Sequence, residues 1–591
     1  MKRIFFLFII IILPLLTDCK DDADNPPIEI EIGFPADKDK EFDQGSAVSF
    51  PELNGQLTDN LELLGRIWGF LKYHHPEVGK GNYNWDYELF RVLPEYLRAT
   101  NNTERDRILL DWINKYGEIP ACKTCRETNP NAYIKPDHLW IENGAMNNTL
   151  KAKLKDIYQN RHQGKHFYIL MDENYHYNEF IHERDYSNII FPDAGFDLLA
   201  LYRYWNIIYY FSPYKYLTDK NWDDILSEYI PLILTVENRL EYELTITQLI
   251  TETNDTHAIF FSGRSQLEEL KGNKYPPFQT RFVEGKLVVS LYYNPELQAT
   301  SGLEIGDIIT HINGEKVESM VSKLMKYYPA SNEAAKLLYI SSDLLRSNQN
   351  NITIQYNSMG QADQKEIHLF DRYMLNIHSM NDGWNKLDKN EKCYKFLEGN
   401  IGYVTLANII DEDITAIKES FINSKGIIID IRNYPSSKTA PSILSSFFVS
   451  ESKEFSFLFG GNRDNPGEFS YLPFRNIIHY DGGKSYEEKL IVLIDEITFS
   501  AAEYAAMCFR AGLNTTIIGS TTAGAVGKNP TIVLPGGITT TMTGLGTRFS
   551  DGTETQRIGI VPDVWVEPTI EGIRQGRDEL LEMAIKLINE E

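Results

Sequence analysis

Nine residues in the first half of the chain recur at one constant offset, and no other feature of the sequence restricts its fold so tightly. Arg66, Trp68, Tyr73, Pro76, Asn84, Trp85, Asp86, Leu89 and Pro94 reappear as Arg203, Trp205, Tyr210, Pro213, Asn221, Trp222, Asp223, Leu226 and Pro231, each shifted by 137 positions. Chance does not readily preserve that many spacings, so the region holds two copies of one unit. In the first copy Leu61, Leu64, Trp68 and Leu71 share a helical face, and the His75-Pro76 step ends the helix because proline excludes the helical conformation before it. Each copy is expected to be a helix, a turn and a second helix starting near Asn-Trp-Asp. Asn84 and Asn221 read as helix caps over packed tryptophans rather than as ligand groups. Residues 51–250 thus form a helical repeat domain whose aromatic residues are mainly core.

At 591 residues the chain exceeds one hydrophobic core, and its 42% hydrophobic content supports several packed domains. Lys and Arg total 58 against 83 Asp and Glu, a formal charge of -25 that would repel phosphate backbones, so nucleic acid is not an expected partner. Lys2 and Arg3 precede an apolar run from Ile4 to Leu16, too short to span a bilayer. Residues 1–18 therefore read as an export signal and 19–50 as a polar linker. The Leu16-Thr17-Asp18-Cys19 stretch resembles the box before the acylated cysteine of bacterial lipoproteins, with Asp18 where a small residue is usual. That resemblance implies a lipid anchor on Cys19. Lys20-Asp21-Asp22 is similar to the tether that sends some Bacteroidetes lipoproteins to the cell surface, which implies an outer-membrane lipoprotein facing periplasm or exterior. Cys122 and Cys125 form a lone C-x-x-C; without a second pair, a local disulfide or two spectator thiols are expected over a metal site. No metal or cofactor is implied.

From about Phe282 the pattern changes to short alternating runs such as Lys286 to Tyr292, the signature of strands. Ser301-Gly302-Leu303-Glu304-Ile305-Gly306-Asp307 and the following Ile308 to Gly314 resemble the G-L-x-x-G-D-x-I-x-x-I-N-G stretch of PDZ domains in bacterial proteases. The resemblance implies a PDZ-like β domain over 275–370 that pairs an extended peptide with a sheet edge, with Gly302 and Leu303 at its substrate-binding turn. From Gly399 onward, apolar runs at 401–406, 426–431 and 490–495 alternate with helical segments, an α/β order. The fold class expected is α/β and α+β multidomain.

After the third of those runs, Ser500-Ala501-Ala502-Glu503 opens an alanine-rich helix. Free amides and the positive end of the helix dipole suit an alkoxide and an oxyanion there, although Ser500 and Glu503 also spell a capping box that needs no catalysis. Together with Gly519-Ser520-Thr521-Thr522-Ala523-Gly524, Gly559-Ile560-Val561-Pro562-Asp563 and Asp430-Ile431-Arg432-Asn433, this segment resembles the tail-specific (C-terminal processing) serine peptidases over roughly residues 250 to 570. The resemblance implies a ClpP/crotonase-like peptidase core at 371–591, Ser500 as nucleophile and a polypeptide substrate. Many members carry a lysine base 25 residues after the serine, where this chain has Ala525, and Lys528 follows three residues later. The tricorn-like branch uses histidine, and Asn254-Asp255-Thr256-His257 resembles its motif, which implies His257 as base. Glu503 and Glu554 are the candidate acids, although counting back from Gly559 selects Gln556. Asn433-Tyr434-Pro435-Ser436-Ser437 replaces the family's glycine-rich turn, so the expected oxyanion donors are the amides of Ala501 and of Ser436 or Ser437. Two other functions stay open: a peptide- or ligand-binding lipoprotein without turnover, and a surface lipoprotein whose helical half binds glycans.

Overall fold

The computed structural model describes residues 33–377 and 391–590; the expected export signal and Cys19 lie outside them. Both repeat copies are helix pairs, Gly55–His74 with Trp85–Tyr96 and Ala194–Phe211 with Trp222–Leu234. The residues before the two prolines, His75 and Ser212, leave the helix for extended backbone. Asn84 caps the second helix by accepting from the Tyr87 amide, and Asn221 does so from Asp223. Trp68 Nε1 donates to the Trp85 carbonyl at 3.0 Å and Trp85 Nε1 returns the bond to Trp68 at 2.9 Å. Trp205 and Trp222 repeat the exchange at 2.8 and 3.1 Å. A buried indole N–H needs an acceptor, and this reciprocal pairing supplies one to each of four tryptophans in a dry core.

The copies pack on one another about an approximate two-fold relation. Arg66 of the first meets Asp223 of the second at 2.6 Å, and Arg203 of the second meets Asp86 of the first at 2.6 Å. The equivalent Tyr73 and Tyr210 touch edge to face at 5.6 Å. Gly69 and its equivalent, Asn206, are so close that a Cβ on Gly69 would lie 1.8 Å from the Asn206 amide oxygen, which is why the helix carries glycine there. The self-complementary geometry is that of an isologous dimer, realised within one chain.

The second half contains a six-stranded sheet in the order Tyr394–Leu397, Ile401–Thr405, Gly426–Asp430, Lys489–Ile494, Thr515–Gly519, Val564–Trp565. Its first pair is antiparallel and the others are parallel. Gly426–Asp430 is buried along its whole length, as its unbroken apolar run requires of a central strand. A separate antiparallel sheet runs Gln361–His368, Asn351–Ser358, Ile308–Ile312, Lys286–Tyr292, Phe278–Val283, and the helix Glu333–Asp343 lies between its strands in sequence. The α/β and α+β multidomain class read from the sequence is the one observed.

Two small sheets had no clear sequence signal. One joins Phe469–Ile478, Lys453–Gly461 and Gly546–Phe549, and the other joins Thr531–Leu534, Ile538–Thr541 and Phe260–Ser262. The latter strand follows His257 directly, so the end of the helical half is stitched into the C-terminal half. Arg203 donates to the Val533 carbonyl at 2.8 Å, Tyr242 to Pro535 at 2.7 Å and Arg239 to Gly536 at 2.7 Å. Cys122 and Cys125 form a local disulfide.

Candidate active site

The strands Gly426–Asp430, Lys489–Ile494 and Thr515–Gly519 are parallel, so their carboxyl ends deliver Asp430, the turn before Ser500 and the 520–525 loop to one edge of the sheet. Ligands and reacting groups gather at such an edge in open α/β sheets. The turn is braced by Thr498 Oγ1, which donates to the Ile431 carbonyl at 2.9 Å and accepts from the Asp495 amide at 3.1 Å. Ser500 then takes φ 54° and ψ -109°, a conformation that L-residues rarely adopt and that costs on the order of 1–3 kcal/mol. The helix Ala501–Arg510 starts immediately after, so the Ala501 amide is a first-turn donor with no intrahelical acceptor.

Glu503 holds this turn. Its buried carboxyl accepts from the Ser500 amide at 3.0 Å, the Gly524 amide at 2.8 Å, the Ala525 amide at 3.0 Å and the Thr522 hydroxyl. Thr522 Oγ1 in turn accepts from the Ile560 amide at 2.7 Å. Three motifs that stand apart in the sequence, around Ser500, Gly519 and Gly559, thus meet at one carboxyl. Burial pushes that carboxyl up to about 7, against the four donors. A folded-state value above the ordinary 4.5 contributes stability that is complete below about 4.5 and is withdrawn as pH rises through about 7. Glu503→Gln turns one acceptor oxygen into an NH2 group facing amide donors, and is expected to destabilise the protein by about 1–3 kcal/mol. The stability advantage of the wild type over this variant should shrink between pH 5 and 8. Denaturant midpoints at several pH values measure it, and a pH-independent difference would reject the assignment.

His257 Nε2 lies 2.9 Å from Ser500 Oγ. On its other side Nδ1 lies 2.8 Å from Thr543 Oγ1, and that hydroxyl donates to Asp255 Oδ1 at 2.8 Å. Asp255 also accepts from the Thr543 amide at 2.6 Å, the His257 amide at 3.0 Å and Gln556 Nε2 at 3.1 Å. Burial lowers the imidazole below its ordinary range, and the Asp255 charge acts the other way. The ring is therefore neutral at pH 7, as a proton acceptor must be. Thr256 anchors the segment by donating to the Ala523 carbonyl at 2.7 Å and accepting from the Ser331 amide at 2.8 Å. Phe499 covers one side of the imidazole, with ring centroids 5.0 Å apart.

Several expected roles need correction. Glu503 binds the amides around the serine and forms no hydrogen bond with His257, so it is not the acid that orients the imidazole. Glu554 is engaged with Arg548 and, at 2.8 Å, with the Tyr216 hydroxyl, because an isolated antiparallel bridge sets it opposite Arg548 of the strand Gly546–Phe549. Gln556 does reach the histidine's surroundings, but through Asp255. The Ser436 amide donates to the Leu406 carbonyl at 3.0 Å and is no longer free for an oxyanion. The Ser437 hydroxyl accepts from the Ala440 amide at 3.0 Å, a bond that leaves the expectation for its own backbone amide unchanged. Ala525 is buried in the position of the expected lysine, while Lys528 lies 5.9 Å from the centre of the Tyr175 ring. Leu303 is buried in the core of its small sheet, and the Gly302 carbonyl accepts from Lys365 Nζ. Among the described residues no group of three or more His, Cys, Asp or Glu side chains is arranged to hold a metal ion. Thr543 was missed, since nothing in the sequence links a threonine to a histidine 286 positions away.

Residues 400–566 match the profile of peptidase family S41. No curated protein sequence matches the chain. The structure of mature CPAF complexed with lactacystin aligns with a TM-score of 0.52 at 16% identity, over 67% of this chain and 98% of that one. Mature CPAF alone aligns with a TM-score of 0.51 at 15% identity, over 67% and 96%. A putative peptidase from Parabacteroides merdae aligns with a TM-score of 0.41 at 17% identity, over 67% and 97%. At these identities the likeness to CPAF is one of fold.

Proposed function

We propose that this chain, whose residues 400–566 match the profile of peptidase family S41, is an exported serine endopeptidase that cleaves polypeptides through an acyl-enzyme on Ser500. The observation that carries the reading is the 2.9 Å approach of His257 Nε2 to Ser500 Oγ between residues 243 positions apart. His257 accepts the Ser500 proton as Oγ attacks the scissile carbonyl, and returns it to the departing amine. The negative oxygen of the tetrahedral intermediate faces the Ala501 amide, aided by the positive end of the following helix. Water, activated by the same imidazole, then releases the acyl group. The backbone at Ser500 supports this role, since a strained turn held by a buried carboxyl presents the hydroxyl to the His257 ring.

The antiparallel sheet of residues 278–368 is proposed to gather the substrate as a PDZ-like domain, supported by its contacts with the site. Asn332 Nδ2 donates to the Thr522 carbonyl at 2.8 Å, and Ser331 binds Thr256. Export with a lipid anchor on Cys19 rests on the N-terminal sequence.

A serine-reactive fluorophosphonate tests the central claim. The full mature chain should be labelled, and a peptide bearing the label should contain Ser500. No labelling of folded protein, or labelling that persists in Ser500→Ala, would overturn it.

A further inference from the structure

We propose that Thr543 is the positioning residue that selects the catalytic tautomer of His257, with Asp255 acting on the imidazole through the Thr543 hydroxyl and not by direct contact. In turnover the proposal rests on the peptidase reading; in the resting protein it does not.

The argument is one of hydrogen-bond direction. A threonine hydroxyl has one proton and two lone pairs, whereas a carboxylate oxygen only accepts. Thr543 Oγ1 lies 2.8 Å from Asp255 Oδ1 and gives its proton there. What it turns toward His257 Nδ1, also at 2.8 Å, is a lone pair. Nδ1 must then carry the hydrogen, and Nε2 faces Ser500 Oγ with its lone pair free. The opposite tautomer would set two lone pairs against each other in a buried place. An unmade buried hydrogen bond costs about 1–3 kcal/mol, which corresponds to a population ratio of roughly 5- to 150-fold in favour of Nδ1–H.

Asp255 is fixed strongly enough to impose this direction. Its second oxygen accepts the Thr543 amide at 2.6 Å, while the His257 amide and Gln556 Nε2 hold the first. Thr543 is thus gripped at both its amide and its hydroxyl, and the hydroxyl cannot rotate away without losing the Asp255 bond. During acylation the Ser500 proton moves to Nε2 and then to the leaving amine. The Nδ1 and Thr543 protons stay where they are, and the imidazolium is stabilised by a hydroxyl that Asp255 polarises. Gln556, which occupies the counted position of the expected acid, serves here as a donor that steadies a carboxylate supplied by another segment.

Thr543→Val removes the hydroxyl while keeping the shape and the amide, and Thr543→Ser keeps the hydroxyl. In the valine variant kcat should fall by on the order of 100-fold or more, with KM changed less than about twofold. The acid limb of its kcat/KM profile should move to lower pH, because the protonated ring has lost an acceptor. The serine variant should retain the wild-type limb and most of the rate. Nitrogen-15 NMR of histidine-labelled full mature chain reads the tautomer without any turnover: Nδ1 protonated and Nε2 bare in the wild type and in Thr543→Ser, mixed in Thr543→Val. An Nε2–H tautomer in the resting wild type overturns the proposal even if the valine variant does not fold. So does a valine variant with wild-type rate and acid limb, or a serine variant as impaired as valine. Should the tautomers behave as expected in a protein that fluorophosphonate does not label, the positioning role stands and the peptidase reading falls.

Discussion

Alanine at position 500 is expected to lower kcat on an unfolded protein substrate by roughly 10⁶-fold, with little change in KM or in the unfolding midpoint. The side chain removed bonds the His257 ring, and the backbone amide that anchors the turn to Glu503 remains. His257→Ala should cost about as much, because a nucleophile without its base and a base without its nucleophile are equally idle. The double variant should then be no slower than either single one. Residual activity above about one percent of wild type in the Ser500→Ala protein would exclude this serine as nucleophile. Comparing protein termini in cells carrying the native chain and the alanine variant would further identify the substrates.

Arg203→Ala should be the most destabilising single change in the helical half, by about 3–5 kcal/mol. The Arg203 side chain is fully buried, bonded to Asp86 at 2.6 Å and to Glu183 at 2.9 Å, with Lys72 completing a balanced group of two cations and two anions. Its removal strands a buried carboxylate and also cuts the bond to the Val533 carbonyl that ties the helices to the C-terminal half. The repeat offers an internal control. Arg66 stands at the equivalent position, but its partner Asp223 has 35% of its side chain exposed, so water can replace the lost contact. Arg66→Ala should cost about 1 kcal/mol in ionic terms, plus the packing it loses over Trp205. Urea unfolding of the two variants measures the contrast; equal destabilisation would show that burial does not distinguish the two copies.

Much of this architecture was legible in advance because it depends on neighbours in sequence. The helix ends at His75 and Ser212, the caps at Asn84 and Asn221 and the buried run at 426–430 are local effects of proline, a short polar side chain and continuous apolar strands. Ser500 was marked by its place at a helix start, and His257 by the resemblance of the four residues around it. What the local reading misjudged was each carboxyl group. Glu503 sits one helical turn from the serine, which suggested the imidazole, yet its oxygens meet three amides and a hydroxyl. Ser436 has the residue type of a donor turn, but its amide is claimed by Leu406, a partner 30 positions away.

Periodicity, turn residues and capping chemistry were therefore enough for the helix pairs, the strand runs and the serine at the head of its helix, since those follow from backbone sterics within a few residues. The company each reactive group keeps was not written there. Pairing of Phe260–Ser262 with Ile538–Thr541 carries His257 across to Ser500 and sets Thr543 between the ring and Asp255. Hydrogen-bond partners are chosen by distance and direction in space, and along this chain those distances bear no relation to position number.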